Sequence, residues 1–120
     1  MLFRSLQVFV NLLRNALNAV ESGVDKPEPK ATASIQVQAR REIRDGLPVI
    51  VIAVEDNGPG IPAEVLPDIF DAFVSTRLDA RGTGLGLTVS EGIITQHRGS
   101  ITASNRPEGG ACLEVCLPAA

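Results

Sequence analysis

Residues 2–22 run without a glycine or a proline, and this stretch constrains the fold more than any other. Apolar residues fall on most of its turns, at Leu6, Phe9, Leu13, Ala16, Leu17 and Val20, which predicts a helix that packs against the rest of the chain. At 100° per residue, Gln7, Asn11, Asn15 and Asn18 share one narrow sector, with Arg4, Arg14 and Ser22 at its edges. A plain solvent face would carry Lys and Glu, which form helices better than Asn. Neutral amides offer donors and acceptors without repelling an anion, and their oxygens reach a hard cation. The stripe fits either a polar seam or a ligand floor; the residues downstream favour the floor.

The chain of 120 residues suits one domain with one core. Its net charge of −3 and four Phe, with no Tyr or Trp, argue against nucleic acid held on stacking platforms. No apolar run reaches the roughly 18–20 residues of a membrane span, and the first helix lacks the parts of a signal peptide. A reducing cytoplasm is the default location. Cys112 and Cys116 sit four apart on an expected strand, about 13 Å from each other and too far for a disulfide. Two thiols also make a poor zinc site.

Gly23 should stop the helix, and residues 24–33, with Pro27 and Pro29, read as a loop. Ser34 to Ile43 alternates as a half-buried strand does, and Asp45-Gly46 makes a hairpin turn. Val49 to Val54, a β-branched apolar run, is expected to be a central strand covered on both faces. It ends at Glu55-Asp56-Asn57-Gly58-Pro59-Gly60-Ile61-Pro62, a carboxylate followed by a glycine-rich loop where ligands are often held. Pro62 to Leu66 is read as the start of a short helix, and Ile69, Phe70 and Phe73 as an apolar anchor. Val74 to Arg81 is polar, without periodicity, and expected to be disordered without a ligand. Gly82-Thr83-Gly84-Leu85-Gly86-Leu87 then leads into a helix to about His97, stopped by Gly99. Ser100 to Ala103 and Ala111 to Leu117 complete a last hairpin. The order is that of a two-layer α/β sandwich in the α+β class, with a mixed, mostly antiparallel sheet and helices on one face.

Glycines before a helix present backbone amides and a positive dipole end to phosphate. No Lys-Ser/Thr follows them, so this is not a P-loop, and the G-x-G-x-G spacing after a polar loop is a poor dinucleotide fingerprint. His97, the single histidine, has no partner for a nucleophilic triad and is read as structural or solvent-facing.

Asn11-x-x-x-Asn15-Ala16, Asp56-x-Gly58-x-Gly60, Phe70-x-x-Phe73 and Gly82-x-Gly84-x-Gly86 resemble the N, G1, F and G2 boxes of the GHKL ATP-binding domain. NLLRNAL, VEDNGPGIP, IFDAFVSTR and GTGLGL resemble the catalytic domain of bacterial two-component sensor histidine kinases, with nitrogen- and dicarboxylate-sensing kinases most similar. The resemblance runs from about Leu6 to Pro118. It implies ATP and Mg2+ as ligands, with Asn15 on the magnesium and Asn11 assisting. Asp56 would accept the adenine amino group, with Gly58, Gly60 and Ile61 beside the base. Asn18, Phe73, Thr76 and Arg77 would line the nucleotide. Gly82, Thr83, Gly84, Leu85, Gly86 and Leu87 would form the lid hinge and the phosphate seat. The implied activity is that of an ATP-dependent protein histidine kinase, a transferase of two-component signal transduction. Its partners would be a histidine-bearing dimerisation domain of the same parent protein and, indirectly, a response regulator, with no nucleic acid or membrane contact by this segment. The implied location is cytoplasmic, with inner-membrane anchoring of the parent left open.

The departures matter too. Asn18 stands where many kinases of the family carry lysine, and Asn11 where ATP-hydrolysing relatives carry a glutamate base, so fast hydrolysis is not expected. His97-Arg98-Gly99 does not resemble a phosphoacceptor motif, and the strand and helix start that usually precede the N box are missing. The chain is therefore expected to be a catalytic domain cut from a longer sensor, binding nucleotide without phosphorylating itself. The alternative is a non-catalytic nucleotide- or partner-binding module of the same fold.

Overall fold

The structure, a computed structural model, describes residues 2–23, 33–71 and 86–119, with side chains of the first helix described over 6–20. The elements are α1 (Leu2–Gly23), β1 (Ile35–Arg44), β2 (Leu47–Asp56), a 3-10 turn (Leu66–Asp68), α2 (Gly86–Gln96), β3 (Ser100–Asn105) and β4 (Ala111–Pro118). The strands form one sheet in the order β1-β2-β4-β3, every pair antiparallel. Helix α1 packs on β2 and on α2, and α2 packs on β3, so both helices lie on one face. The expected two-layer sandwich is found, its sheet wholly antiparallel among the described residues.

Register explains which side chains are buried. Val54 pairs with Leu113 and Val37, and Leu113 with Ala103, so these residues share the helix-facing side. Val54, Leu113, Val115 and Ile101 join Val8, Leu12, Ala16 and Ala19 of α1 and Leu87, Ile93 and Ile94 of α2 in one core. The hairpin at Asp45-Gly46 has φ of 52° and 78°, the two left-handed residues of a type I′ turn.

Four expectations are corrected. On α1 the buried stripe is Val8, Leu12, Ala16, Ala19 and Val20, whereas Leu6, Leu13 and Leu17 are 61%, 42% and 50% exposed. The helix is apolar on two sides, and periodicity does not say which side the sheet covers. Strand β2 is interior, but its far face has no second layer among the described elements. Val51 is fully buried there, flanked in register by Arg40 and Cys116. Around it Arg40, Glu42, Arg44 and Glu114 form an ion-pair network, Arg44 Nε meeting Glu42 at 2.9 Å and Arg44 Nη2 meeting Glu114 at 3.5 Å.

The stretch from Pro62 does not start an α-helix. Val65 N–H donates to Pro62 at 3.0 Å and Asp68 N–H to Val65 at 2.9 Å, a run of tight turns. Pro67 has no N–H to donate, which excludes a regular turn of α-helix through it. Ile69 is buried and Phe70 packs against the core, as the anchor reading requires. At the end of α2 the left-handed residue is Arg98 (φ 61°), not Gly99. Gly99 N–H donates to Ile94 O at 2.9 Å and Arg98 N–H to Thr95 O at 3.0 Å, a Schellman cap with Arg98 at its left-handed position. Gly99 is glycine for space: a Cβ there would overlap the Cys116 carbonyl oxygen and lie 2.8 Å from Leu117 Cδ2.

Candidate functional site

Strand β2 carries Asp56 out of the core at its last position, 4% exposed. Gly58 N–H donates to Asp56 Oδ1 at 2.8 Å and Ala111 N–H to the same oxygen at 3.3 Å. Among the described residues, both bonds fall on Oδ1, which leaves Oδ2 for another donor. Burial pushes the carboxyl above the usual aspartate range, opposed by these two amides and by the charge of Arg106. Arg106 Nη1 donates to the Asp56 main-chain oxygen at 2.8 Å, while its Nη2 lies 3.3 Å from Glu108 and its Nε 3.6 Å from Glu55.

The loop after Asp56 is fixed from three sides. Asn57 Oδ1 accepts from Ser34 N–H at 2.8 Å, and Asn57 N–H donates to Ser34 O at 3.2 Å. A Cβ at Gly58 would lie 2.8 Å from the Ala19 carbonyl oxygen, so this glycine lets the loop touch the backbone of α1. Gly60 takes φ +82°. Asn105 then clamps Ile61: its Oδ1 accepts from Ile61 N–H at 2.7 Å and its Nδ2 donates to Ile61 O at 2.8 Å. The Ile61 side chain itself is buried in the core.

Asn15, one turn before Ala19, is 5% exposed, and its Nδ2 is buried with no hydrogen-bond partner among the described residues. An orphaned buried amide costs on the order of 1–3 kcal/mol, so it marks a place where a further group completes the bonding. Asn11, one turn earlier, is half-buried, and its Nδ2 donates to Gly86 O at 3.3 Å and to Ser90 Oγ at 3.2 Å. Asn18 is half-buried and engaged in interactions of its own. Gly86 opens α2, and Thr88 Oγ1 donates to Phe70 O at 2.7 Å, tying that helix start to the apolar anchor. Leu87 is a core residue, so only its main chain is available to a ligand. Phe73, Thr76, Arg77, Gly82, Thr83, Gly84 and Leu85, and the segment expected to be disordered, lie outside the described residues.

Gly58, bonded to Asp56, thus meets α1 at Ala19, and Gly86 meets it at Asn11 two turns earlier, with Asn15 on the turn between them. Sequence reasoning missed Ser90, Asn105, Arg106 and Gly110. The last has φ +94°, and a Cβ there would overlap the Asp56 carbonyl oxygen. Only the glycine signalled a special backbone; the others are ordinary turn or helix residues until the hairpin folds over β2. His97 does serve the fold: its Nδ1 donates to Ile93 O at 2.8 Å, since a carbonyl only accepts. Both cysteines are free, and burial pushes the Cys112 thiol up. An open groove lies at the other end of the sheet, between Arg44, Leu47 and Arg98, and holds none of the nucleotide-site residues expected from the sequence.

Residues 4–120 match the family described as histidine kinase-, DNA gyrase B- and HSP90-like ATPase. The chain belongs to this family. It is 37% identical to the sensory histidine kinase/phosphatase NtrB of Rhizobium leguminosarum bv. phaseoli over 95% of its length, and 39% identical to the sensor protein KdpD of Escherichia coli over 93%. It spans 30% and 11% of those two proteins. A similar relation holds to the C4-dicarboxylate transport sensor protein DctS of Rhodobacter capsulatus, at 37% identity over 93% of the chain and 15% of that protein. The solved catalytic domain of histidine kinase ThkA superposes with a TM-score of 0.73 at 29% identity, covering 97% of this chain and 66% of that one. Full-length ShkA in complex with AMPPNP shares the fold, with a TM-score of 0.68 at 24% identity, over 96% of this chain and 21% of that one. The GHKL fold and the resemblance to sensor histidine kinases are therefore established. No helix among the described residues is long and apolar enough to cross a membrane.

Proposed function

We propose that this domain binds Mg-ATP and, in its parent protein, presents the γ-phosphate to a histidine on a separate dimerisation domain of a two-component sensor kinase. One observation carries the reading: a buried carboxylate and a buried amide, without a partner for its Nδ2 among the described residues, lie on either side of the contact between the Gly58 loop and α1. Asp56 Oδ2 accepts the adenine 6-amino group. Guanine carries an acceptor oxygen at that position, which the carboxylate repels. Gly60 and Ile61 lie beside the base, and the main-chain amides from Gly82 to Leu87 take the phosphates at the start of α2. The resemblance adds Asn18, Phe73, Thr76 and Arg77 as nucleotide contacts.

The residues present fit a magnesium ion. Asn15 and Asn11 offer neutral amide oxygens suited to a hard cation whose charge the triphosphate balances, while the unsatisfied Nδ2 of Asn15, a donor, suits a phosphate oxygen and not the ion. Asn15 holds the ion and Asn11 assists. When bound, magnesium neutralises charge on the phosphates. In the transfer, the acceptor imidazole nitrogen forms a bond to the γ-phosphorus as the bond to the β–γ bridging oxygen breaks, and ADP leaves. The chain's own contribution is to orient the nucleotide and exclude water. Asn11 cannot take a proton from water, so transfer prevails over hydrolysis. A response regulator then receives the phosphoryl group from the histidine. Nothing here calls for nucleic acid or membrane contact, and the domain works in the cytoplasm.

The test is calorimetric titration of the chain and of Asp56→Asn with ADP, ATP and GTP in magnesium. Adenine nucleotides should bind, GTP should not, and the variant should bind about 10- to 100-fold more weakly. Equal binding of GTP, or an unaffected variant, refutes the adenine assignment. Asn18 in place of the usual lysine favours a second reading, a nucleotide-sensing module. Joining the chain to an acceptor-helix domain decides between the two: no phosphohistidine despite tight ATP binding supports the module.

A further inference from the structure

The hydroxyl of Ser90 lies inside α2, fully buried, one turn from the helix start. It donates to Gly86 O at 2.9 Å, and its remaining lone pairs face Asn11 Nδ2 at 3.2 Å. The same Nδ2 reaches Gly86 O at 3.3 Å. A serine bonding back four residues within a helix gains the helix nothing, and alanine is the better helix former. What the hydroxyl does provide is a fixed acceptor for α1.

This geometry decides which way the Asn11 amide faces. Gly86 O can only accept, and the Ser90 hydroxyl spends its proton on that oxygen. Reversing the amide would set Asn11 Oδ1 against Gly86 O and leave the single Ser90 proton shared between two acceptors, at the cost of its bond to Gly86 O. Nδ2 is therefore held by α2, and the acceptor end of Asn11 is turned away from it. In an amide without such partners the two orientations differ little, and a cation would have to select one at binding.

We propose that Ser90 is a positioning residue of the nucleotide site: it orients Asn11 so that Oδ1 is offered to the magnesium-nucleotide, and it joins the start of α2 to the amide stripe of α1. This rests on the Mg-ATP reading above. Ser90 touches no nucleotide; it acts through Asn11. Its loss therefore reduces the gain in affinity that magnesium confers, while the adenine end of the site is untouched.

The experiment compares Ser90→Ala and the isosteric Ser90→Cys with the unaltered chain, titrating ATP in magnesium and in EDTA and recording thermal melts. Expected are melting close to that of the unaltered chain, affinity in EDTA within about twofold, and Mg-ATP affinity weakened about five- to tenfold. Asn11→Ala should lose as much, and the double variant Asn11→Ala/Ser90→Ala no more than Asn11→Ala alone. Equal losses with and without magnesium, no loss in either Ser90 variant, or additive losses in the double variant overturn the proposal. If Ser90→Ala does not melt cooperatively, Ser90→Cys, which keeps the volume, gives the same reading. An unaltered chain that binds no nucleotide overturns the Mg-ATP reading together with this inference. Binding by that chain with an indifferent Ser90 overturns this inference alone.

Discussion

Gly110 offers the sharpest test of how the fold builds the Asp56 site. It sits at the end of the β3–β4 hairpin with φ +94°, and a Cβ there would lie 2.7 Å from the Asp56 carbonyl carbon and 2.8 Å from Asn57 Cα. Carbon atoms pack at about 3.5–4.0 Å, so Gly110→Ala forces the hairpin and the end of β2 apart by roughly 1 Å. Overpacking of this kind costs about 1–3 kcal/mol, and an L-residue at this φ about 1–3 kcal/mol more. Gly109 supplies the control. Its φ is +105°, but nothing lies within 4 Å of an added Cβ, so Gly109→Ala carries the backbone cost alone. Urea denaturation should therefore place Gly110→Ala about 1–3 kcal/mol below Gly109→Ala. Because the displaced atoms belong to Asp56 and Asn57, ADP affinity should also fall about tenfold or more in Gly110→Ala and stay near normal in Gly109→Ala. Equal stabilities within about 0.5 kcal/mol together with equal ADP affinities would refute the close-approach argument.

Three further outcomes follow from the same structure. Asn15→Ala should change nucleotide-free stability by less than about 1 kcal/mol, because the amide it removes has an unsatisfied Nδ2, yet weaken Mg-ATP binding at least about tenfold; a large loss of stability with binding retained would place Asn15 in the fold alone. Arg98→Gly should raise stability by about 1 kcal/mol in thermal melts, since an exposed arginine holds the left-handed position of the α2 cap, and a lowered melting temperature would contradict that. ADP affinity should fall as pH drops through the raised Asp56 pKa and be flat over that range in Asp56→Asn, measured by calorimetry. The charged groups at this site are Arg106 and Glu108 of the hairpin and Glu55 of β2. For stability the sign is opposite. A carboxyl whose folded pKa lies above its unfolded value is protonated more in the folded state, so its contribution improves as pH falls through the folded pKa and worsens as pH rises.

Much of this protein is written in local sequence. The type I′ turn is legible because Asp45-Gly46 tolerates left-handed backbone, and β1 and β2 because alternation and β-branching leave little else. Asp56 was legible as well, since a carboxylate closing a buried apolar run needs a reason to be there. The Asn11–Asn15 pair and the glycine boxes carry the family resemblance without any tertiary contact. These are features in which backbone sterics or side-chain chemistry acts within a few residues.

Other features required the chain to fold. Helix α1 has two apolar sides, and only packing on β2 and α2 decides that Val8 and Leu12 are buried while Leu6, Leu13 and Leu17 face out. Glycine can be required by φ or by the approach of a distant backbone, and nothing local separates the two; so the sequence points to Gly99 for a cap that Arg98 forms. The supports of the site come from positions 44 to 79 residues away from the groups they hold: Asn105 on Ile61, Arg106 on Asp56, Ser90 on Asn11. Their side chains are common ones, and their roles arise from distance relations that only the closed sheet creates. The sequence by itself determined which chemistry the domain carries, because donor type and backbone freedom are local properties. The tertiary structure decided how that chemistry is held in place, because orientation and burial depend on what the rest of the chain brings alongside.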